Sequence, residues 1–215
     1  MPDAELSPPD ASAAEPVETA APVRKRPKPG ERRVQILQAL ATMLEQPGAE
    51  RITTAALAAR LDVSEAALYR HFASKAQMFE GLIDFIEQSV FTLVNQITER
   101  EAAGKAQAAK VVAMLLQFAE KNPGMTRVMV GDALVFENER LQQRMNQFFD
   151  KIESTLRQSL RGAPDESGSA TPSVDAQVRA SMLTSFVVGR LQRFARSGFK
   201  RPPSEYLEPS LASML

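Results

Sequence analysis

The chain has 215 residues, a formal net charge of +0 and no cysteine or tryptophan. Charge neutrality excludes nucleic-acid binding through bulk charge, so any such contact must come from a local basic patch, and the missing cysteines exclude a disulfide framework and thiolate chemistry. No apolar run approaches the roughly 20 residues of a membrane helix, and no apolar signal-peptide core opens the chain, so secretion is not expected.

Residues 1–30 are dominated by Pro, Ala, Ser and Glu without an apolar period, and are predicted to be disordered. Asp3, Glu5, Asp10, Glu15 and Glu18 make the first part an acidic, solvated spacer. Arg24, Lys25, Arg26 and Lys28 then turn it basic, and Arg32 and Arg33 carry that charge into the next element. Residues 24–33 read as an arm that tracks phosphates or a minor groove. From Glu31 a helix is predicted, with Val34, Ile36, Leu37, Leu40, Ala41 and Leu44 on one face and a stop at Pro47-Gly48.

Thr53 to Lys75 reads as two short helices joined by a tight turn, with a third starting behind them. Leu57, Ala58, Leu61, Val63, Leu68 and Phe72 recur at helical spacing and are expected to face inward. Thr53 or Thr54 can cap the first helix and Ser64 the second, because a hydroxyl satisfies a free N–H. Asp62 occupies the turn, where Asp tolerates a left-handed backbone. Thr54, Glu65, Ala66, Tyr69, Arg70 and His71 have no packing duty, and this exposed polar cluster weighs against a plain core hairpin. Ser74-Lys75-Ala76-Gln77 has the form of a capping box that opens the next helix.

That helix continues through Met78, Leu82, Ile83, Phe85, Ile86, Val90, Val94 and Ile97 to about Arg100. Further helices are predicted over Ala106–Lys121, Met125–Gly131, Phe136–Arg161 and Val174–Ser197, with a short one over Glu205–Leu215. Asn122-Pro123-Gly124 stops the second of these, and a polar loop spans Gly162–Ser173. No strand pattern appears. The fold class is therefore all-α: residues 1–30 form an extension, 31–77 a three-helix head and 78–215 a helical body.

Thr54, Leu57-Ala58, Val63-Ser64, Tyr69, His71-Phe72 and Ser74-Lys75 resemble the DNA-binding signature of the TetR family. The departure is Asp62, where the family usually has Gly. The resemblance implies a helix-turn-helix head, a body for ligand binding and dimerisation, and a homodimer joined through two helices near the C-terminus, here Val174–Ser197 and Glu205–Leu215. In a major groove, Ser64, Glu65, Ala66 and Arg70 would lie nearest the base edges, with Arg70 the best base reader through a bidentate contact to guanine. Tyr69, His71 and Lys75 would grip phosphates, and Thr53 and Thr54 would add backbone contacts at a helix start.

The body, from Asn122-Pro123-Gly124 through Phe136-Glu137 to Arg140-Leu141-Gln142, is similar to the nucleoid occlusion branch of that family. This implies binding to palindromic chromosomal DNA and, when DNA-bound, antagonism of the division protein FtsZ, with no small-molecule ligand or cofactor required. It also implies an FtsZ-binding groove between the helix behind the head and the next one, with Phe85, Leu93, Met114, Lys121 and Asn122 as candidates. Bundle core is the plainer reading of Phe85 and Met114, and a helix stop that of Lys121 and Asn122.

A ligand-responsive TetR repressor is the alternative, although the body offers few polar anchors for a small molecule. An enzyme is not expected, since His71 is the only histidine and no glycine-rich phosphate loop follows a strand. Asp132 and Glu137 could pair as carboxylates, but acidic residues near helix ends are usually dipole partners. No metal-ligand spacing is present.

Overall fold

The computed structural model describes residues 30–46, 51–161 and 170–215, and every regular element within them is helical. The N-terminal segment with Arg24, Lys25 and Arg26, the Pro47-Gly48 stop and most of the Gly162–Ser173 loop lie outside the described residues.

Helix α1 (Glu31–Leu44) buries Ile36, Leu40 and Leu44, which recur every four residues. Val34, expected in the same stripe, is 53% exposed. It stands two residues from Ile36, about 200° around a helix, and so on the opposite face.

Helices α2 (Thr54–Arg60) and α3 (Glu65–Tyr69) form the helix-turn-helix. Thr53, not Thr54, is the cap of α2: its hydroxyl accepts from the Ala56 N–H at 3.1 Å. Ser64 caps α3 in the same way, accepting from Ala67 at 3.2 Å. Between them the Asp62 N–H donates to the Ala59 carbonyl and the Val63 N–H to Ala58, both at 3.1 Å. These are the two bonds of a Schellman motif, with Asp62 (φ 54°) in the left-handed position usually given to glycine. Leu57, Ala58, Leu68 and Phe72 are buried as expected, whereas Leu61 and Val63 are half-buried at the edge of the core.

Helix α4 (Lys75–Arg100) has 26 residues and so spans about 39 Å. It runs without a break through the boundary expected at residues 77/78, so head and body share one rod. Ser74 caps it, accepting from the Gln77 N–H at 3.2 Å, and Gln77 reaches back to accept from the Ala73 N–H at 2.8 Å. Packing follows from Leu82, Ile83, Ile86, Val90 and Val94, all buried against the body.

The body adds α5 (Lys105–Lys121), α6 (Pro123–Met129), a 3-10 turn (Asp132–Leu134), α7 (Glu139–Arg161), α8 (Pro172–Arg196) and α9 (Leu207–Met214). Helix α6 starts two residues before the expected Met125, because Pro123 lacks the N–H that a first turn leaves unused. Helix α7 starts at Glu139 and not Phe136, because residues 135–138 form a turn and the Asn138 side chain accepts from the Arg140 N–H at 3.1 Å as a cap. Helices α7 and α8 pack along their length, and Gln177 joins α7 at Glu153 and Arg157, so the two run antiparallel.

The head is seated on the body where α1 meets α6. A Cβ on Gly124 would fall 2.1 Å from the Ala41 carbonyl oxygen, so only glycine permits this approach.

Candidate nucleic-acid interface

Caps and turn together hold α3 across the head with its outer side chains free of the core. Ser64, Glu65, Ala66, Tyr69 and Arg70 are exposed, while Leu68 and Phe72 anchor the opposite side. Arg70 makes no side-chain hydrogen bond or ion pair among the described residues, so its guanidinium is available as a base reader.

Three of the expected contacts are joined to one another. The Thr54 hydroxyl donates to Glu65 Oε2 at 2.5 Å, and the Tyr69 hydroxyl approaches Thr54 Oγ1 at 3.5 Å. This ties the start of α2 to both ends of α3 and directs the Glu65 carboxylate along the head. His71 is half-buried, and its carbonyl accepts from Arg33, whose guanidinium also stacks over the Phe72 ring at 4.1 Å. Arg33, expected in a phosphate-tracking arm, therefore staples α1 to the end of α3. Arg32 is half-exposed and has no such partner among the described residues.

Lys75 stands at the first position of α4 and is paired with Glu137 in the loop before α7. The pair heads a row of charged contacts between α4 and α7. Arg140 pairs with Glu80 at 2.5 Å, and Arg144 bridges Glu87 and Asp84 at 2.7 and 2.6 Å. Hydrogen bonds to Glu87 and then Asp84 raise the Arg144 pKa, against the opposing effect of its partial burial. Glu137 was expected to be a dipole partner at a helix end; its link to Lys75 spans 62 positions of sequence and leaves no local signal.

The candidates for the body groove fall in different settings. Phe85 and Leu93 are exposed apolar residues on α4, and Phe85 is 47% exposed. Met114 is half-buried against the core. Lys121 is exposed at the end of α5, without a hydrogen-bond or ion-pair partner among the described residues. Asn122 closes that helix by donating from Nδ2 to the Phe118 carbonyl at 2.8 Å, which is the plain helix-stop role. Among the described residues no group of three or more His, Cys, Asp or Glu could hold a metal ion, and no helix is long and apolar enough to cross a membrane.

Comparison with known proteins follows the same division. Residues 36–82 match the family of bacterial regulatory proteins of the tetR type, and residues 105–214 match the SlmA-like form of the Tetracyclin repressor-like C-terminal domain. The chain is 52% identical over 182 residues to the nucleoid occlusion factor SlmA of Vibrio vulnificus, covering 84% of this chain and 92% of that protein. The chain belongs to the SlmA branch of the TetR family. The SlmA proteins of Photobacterium profundum and Vibrio cholerae are 54% and 53% identical, over 81% and 80% of the chain and 89% and 88% of their own lengths. Solved structures share the TetR fold at lower identity. The fatty acid degradation regulator FadR from Bacillus halodurans aligns with a TM-score of 0.70 at 14% identity, covering 88% of this chain and 97% of that one. A transcriptional regulator from Rhodococcus aligns at 0.63 and 24%, covering 85% and 92%. These two bear on the fold alone.

Proposed function

We propose that this SlmA-family chain is a nucleoid occlusion factor. As a homodimer it binds palindromic chromosomal sites and, once on DNA, antagonises FtsZ polymerisation, so that no septum forms over the chromosome. Residues 31–77 serve as the DNA-binding head and 78–215 as the regulatory and dimerisation body, working in the cytoplasm on the nucleoid. The observation that carries this reading is identity above one half, over most of both chains, to curated nucleoid occlusion factors.

The geometry supports a physical role for each part. Arg70 and the exposed start of α3 read bases; Thr53, Tyr69 and His71 set the register on phosphates. A two-fold dimer places two such heads roughly 34 Å apart, one helical turn of DNA. Helix α8 buries Ala176, Ala180, Leu183, Val187 and Leu191, and leaves Val174, Val178 and Met182 exposed at four-residue spacing on another face. An apolar stripe of this kind supports pairing with the same helix of a second copy. Exposed Phe85 and Leu93, with the exposed Lys121 at the end of the neighbouring helix, suit a short acidic and apolar FtsZ segment.

FtsZ polymers sedimented with this protein should be lost only when a specific palindromic duplex is present. Lys121→Asp should keep DNA binding and lose that antagonism. Thr53→Ala combined with Arg70→Ala should weaken specific over non-specific binding, with Arg70 contributing about 1–3 kcal/mol of discrimination. A small molecule that releases the duplex, with FtsZ polymers left intact, would favour the ligand-responsive repressor.

A further inference from the structure

The α8–α9 corner carries a concentration of positive charge that base reading at α3 does not use. A cleft of about 540 Å³ lies there, with Arg190, Arg193, Lys200 and Arg201 in its lining and Glu205 as the one anion. In a chain of net charge +0, four cations around one open cleft form a strong local patch. Arg190 has neighbours of its own, lying over the Phe186 ring at 4.9 Å and 3.5 Å from Ser210 Oγ. The side chains of Arg193, Lys200 and Arg201 have no hydrogen-bond or ion-pair partner among the described residues.

The backbone beneath those free side chains is held firmly. Helix α8 ends in a second Schellman motif: Phe199 N–H donates to the Phe194 carbonyl at 3.0 Å and Gly198 N–H to Ala195 at 3.1 Å. The Phe194 and Phe199 rings meet edge to face at 5.1 Å, the apolar contact that accompanies this motif. Ser197 Oγ then accepts from the N–H of Lys200 at 3.1 Å and of Arg201 at 3.0 Å. The far end is pinned by the Ser204 N–H, which donates to Glu120 at 3.0 Å. Phe199 and Tyr206 both take a left-handed backbone (φ 63° and 55°), a conformation that costs energy in bulky residues. The strain and the hydrogen bonds therefore serve a loop whose cations face solvent. Cations in the last turn of a helix also satisfy its dipole, which accounts for Arg193 but not for Lys200 and Arg201 beyond the helix end.

The corner lies at the head-proximal end of the body. Glu120, which holds Ser204, is in the last turn of α5, and α6 follows with Gly124 against Ala41 of the head. Arg127 of α6 in turn lies 5.6 Å over the Phe199 ring. We propose that the cleft is a second phosphate-binding site, taken by DNA backbone outside the contact made by the recognition helix. An open, polar, multi-cation surface fits a phosphodiester strand, which presents charge along a line and needs no enclosed pocket. This inference rests on DNA binding by the family and not on antagonism of FtsZ.

The test is a salt titration of binding to a palindromic duplex with flanking DNA, comparing the parent with R193Q/K200Q/R201Q. Each lost phosphate contact lowers the slope of log affinity against log salt by about 0.9. The expected result is a slope smaller by two to three units per protomer, equal on specific and non-specific DNA, with helical content and dimer mass unchanged. Lys200→Gln alone should lower it by about one unit, which keeps the test decisive should the triple variant misfold. An unchanged slope in both variants overturns the proposal. So does an unchanged slope together with loss of calorimetric binding to inorganic triphosphate or to an acidic FtsZ tail peptide, which would assign the cleft to a free phosphate compound or a protein instead.

Discussion

Gly124 shows what one missing methyl group controls. It lies on α6 against the Ala41 carbonyl, and a side chain there would require backbone movement, because the obstructing atom belongs to the main chain of α1. Gly124→Ala should destabilise the protein by about 1–3 kcal/mol, the usual cost of forcing volume into a close contact, read as a lower thermal midpoint in calorimetry. An unchanged midpoint would mean that α1 and α6 can part at no cost. Asp62 is the opposite case. It takes the left-handed turn without glycine's freedom, and the two hydrogen bonds around it hold the geometry. Of the residues legible in advance, the caps and the turn are the clearest, because each acts within five positions of its own backbone. Arg33 is the complementary case. Its charge suits a phosphate, but Phe72 and the His71 carbonyl reach it first, and that arrangement exists only after α1 and α3 have packed.

Among the elements, α4 decides how head and body communicate. Lys75 opens it and Glu80, Asp84 and Glu87 follow at intervals of three to five residues, facing Glu137, Arg140 and Arg144 of the α7 region. The rung nearest the head uses the lysine that the family motif assigns to phosphate. Lys75 can serve DNA only by leaving Glu137, whose side chain is 10% exposed and would lose its counter-ion in a poorly hydrated position. Glu137→Gln should therefore raise affinity for a palindromic duplex about two- to five-fold, equivalent to about 0.5–1 kcal/mol. Fluorescence anisotropy at fixed salt reads this directly. Equal affinity would show that the pair survives on DNA. The apolar spacing of α4, α5 and α8 is legible in the sequence, whereas α7 and α8 start at Glu139 and Pro172 and not at Phe136 and Val174, because Asn138 caps the first and a proline opens the second.

At the scale of the whole molecule, α8 is the element with two allegiances. One face is buried on α7; the other presents Val174, Val178 and Met182, the last 48% exposed. If this face joins two copies, Met182→Glu puts two like charges across the two-fold axis. The variant should sediment as a monomer, and its affinity for a full palindrome should fall by 10²-fold or more as the linkage of two heads is lost. A dimeric variant would move the interface elsewhere.

The sequence by itself determined the all-helical class, the helix-turn-helix with its caps, and the kinship with the SlmA branch, because these depend on short-range periodicity and on motifs read in order. Only the tertiary structure decided which cations remain free. It committed Arg33 to Phe72 and Lys75 to Glu137, and left Arg70, Arg193, Lys200 and Arg201 without a hydrogen-bond or ion-pair partner among the described residues. The physical reason is that a charge is available to a partner only after packing has settled which opposite charges and rings lie within reach, and those lie up to 62 positions away along the chain.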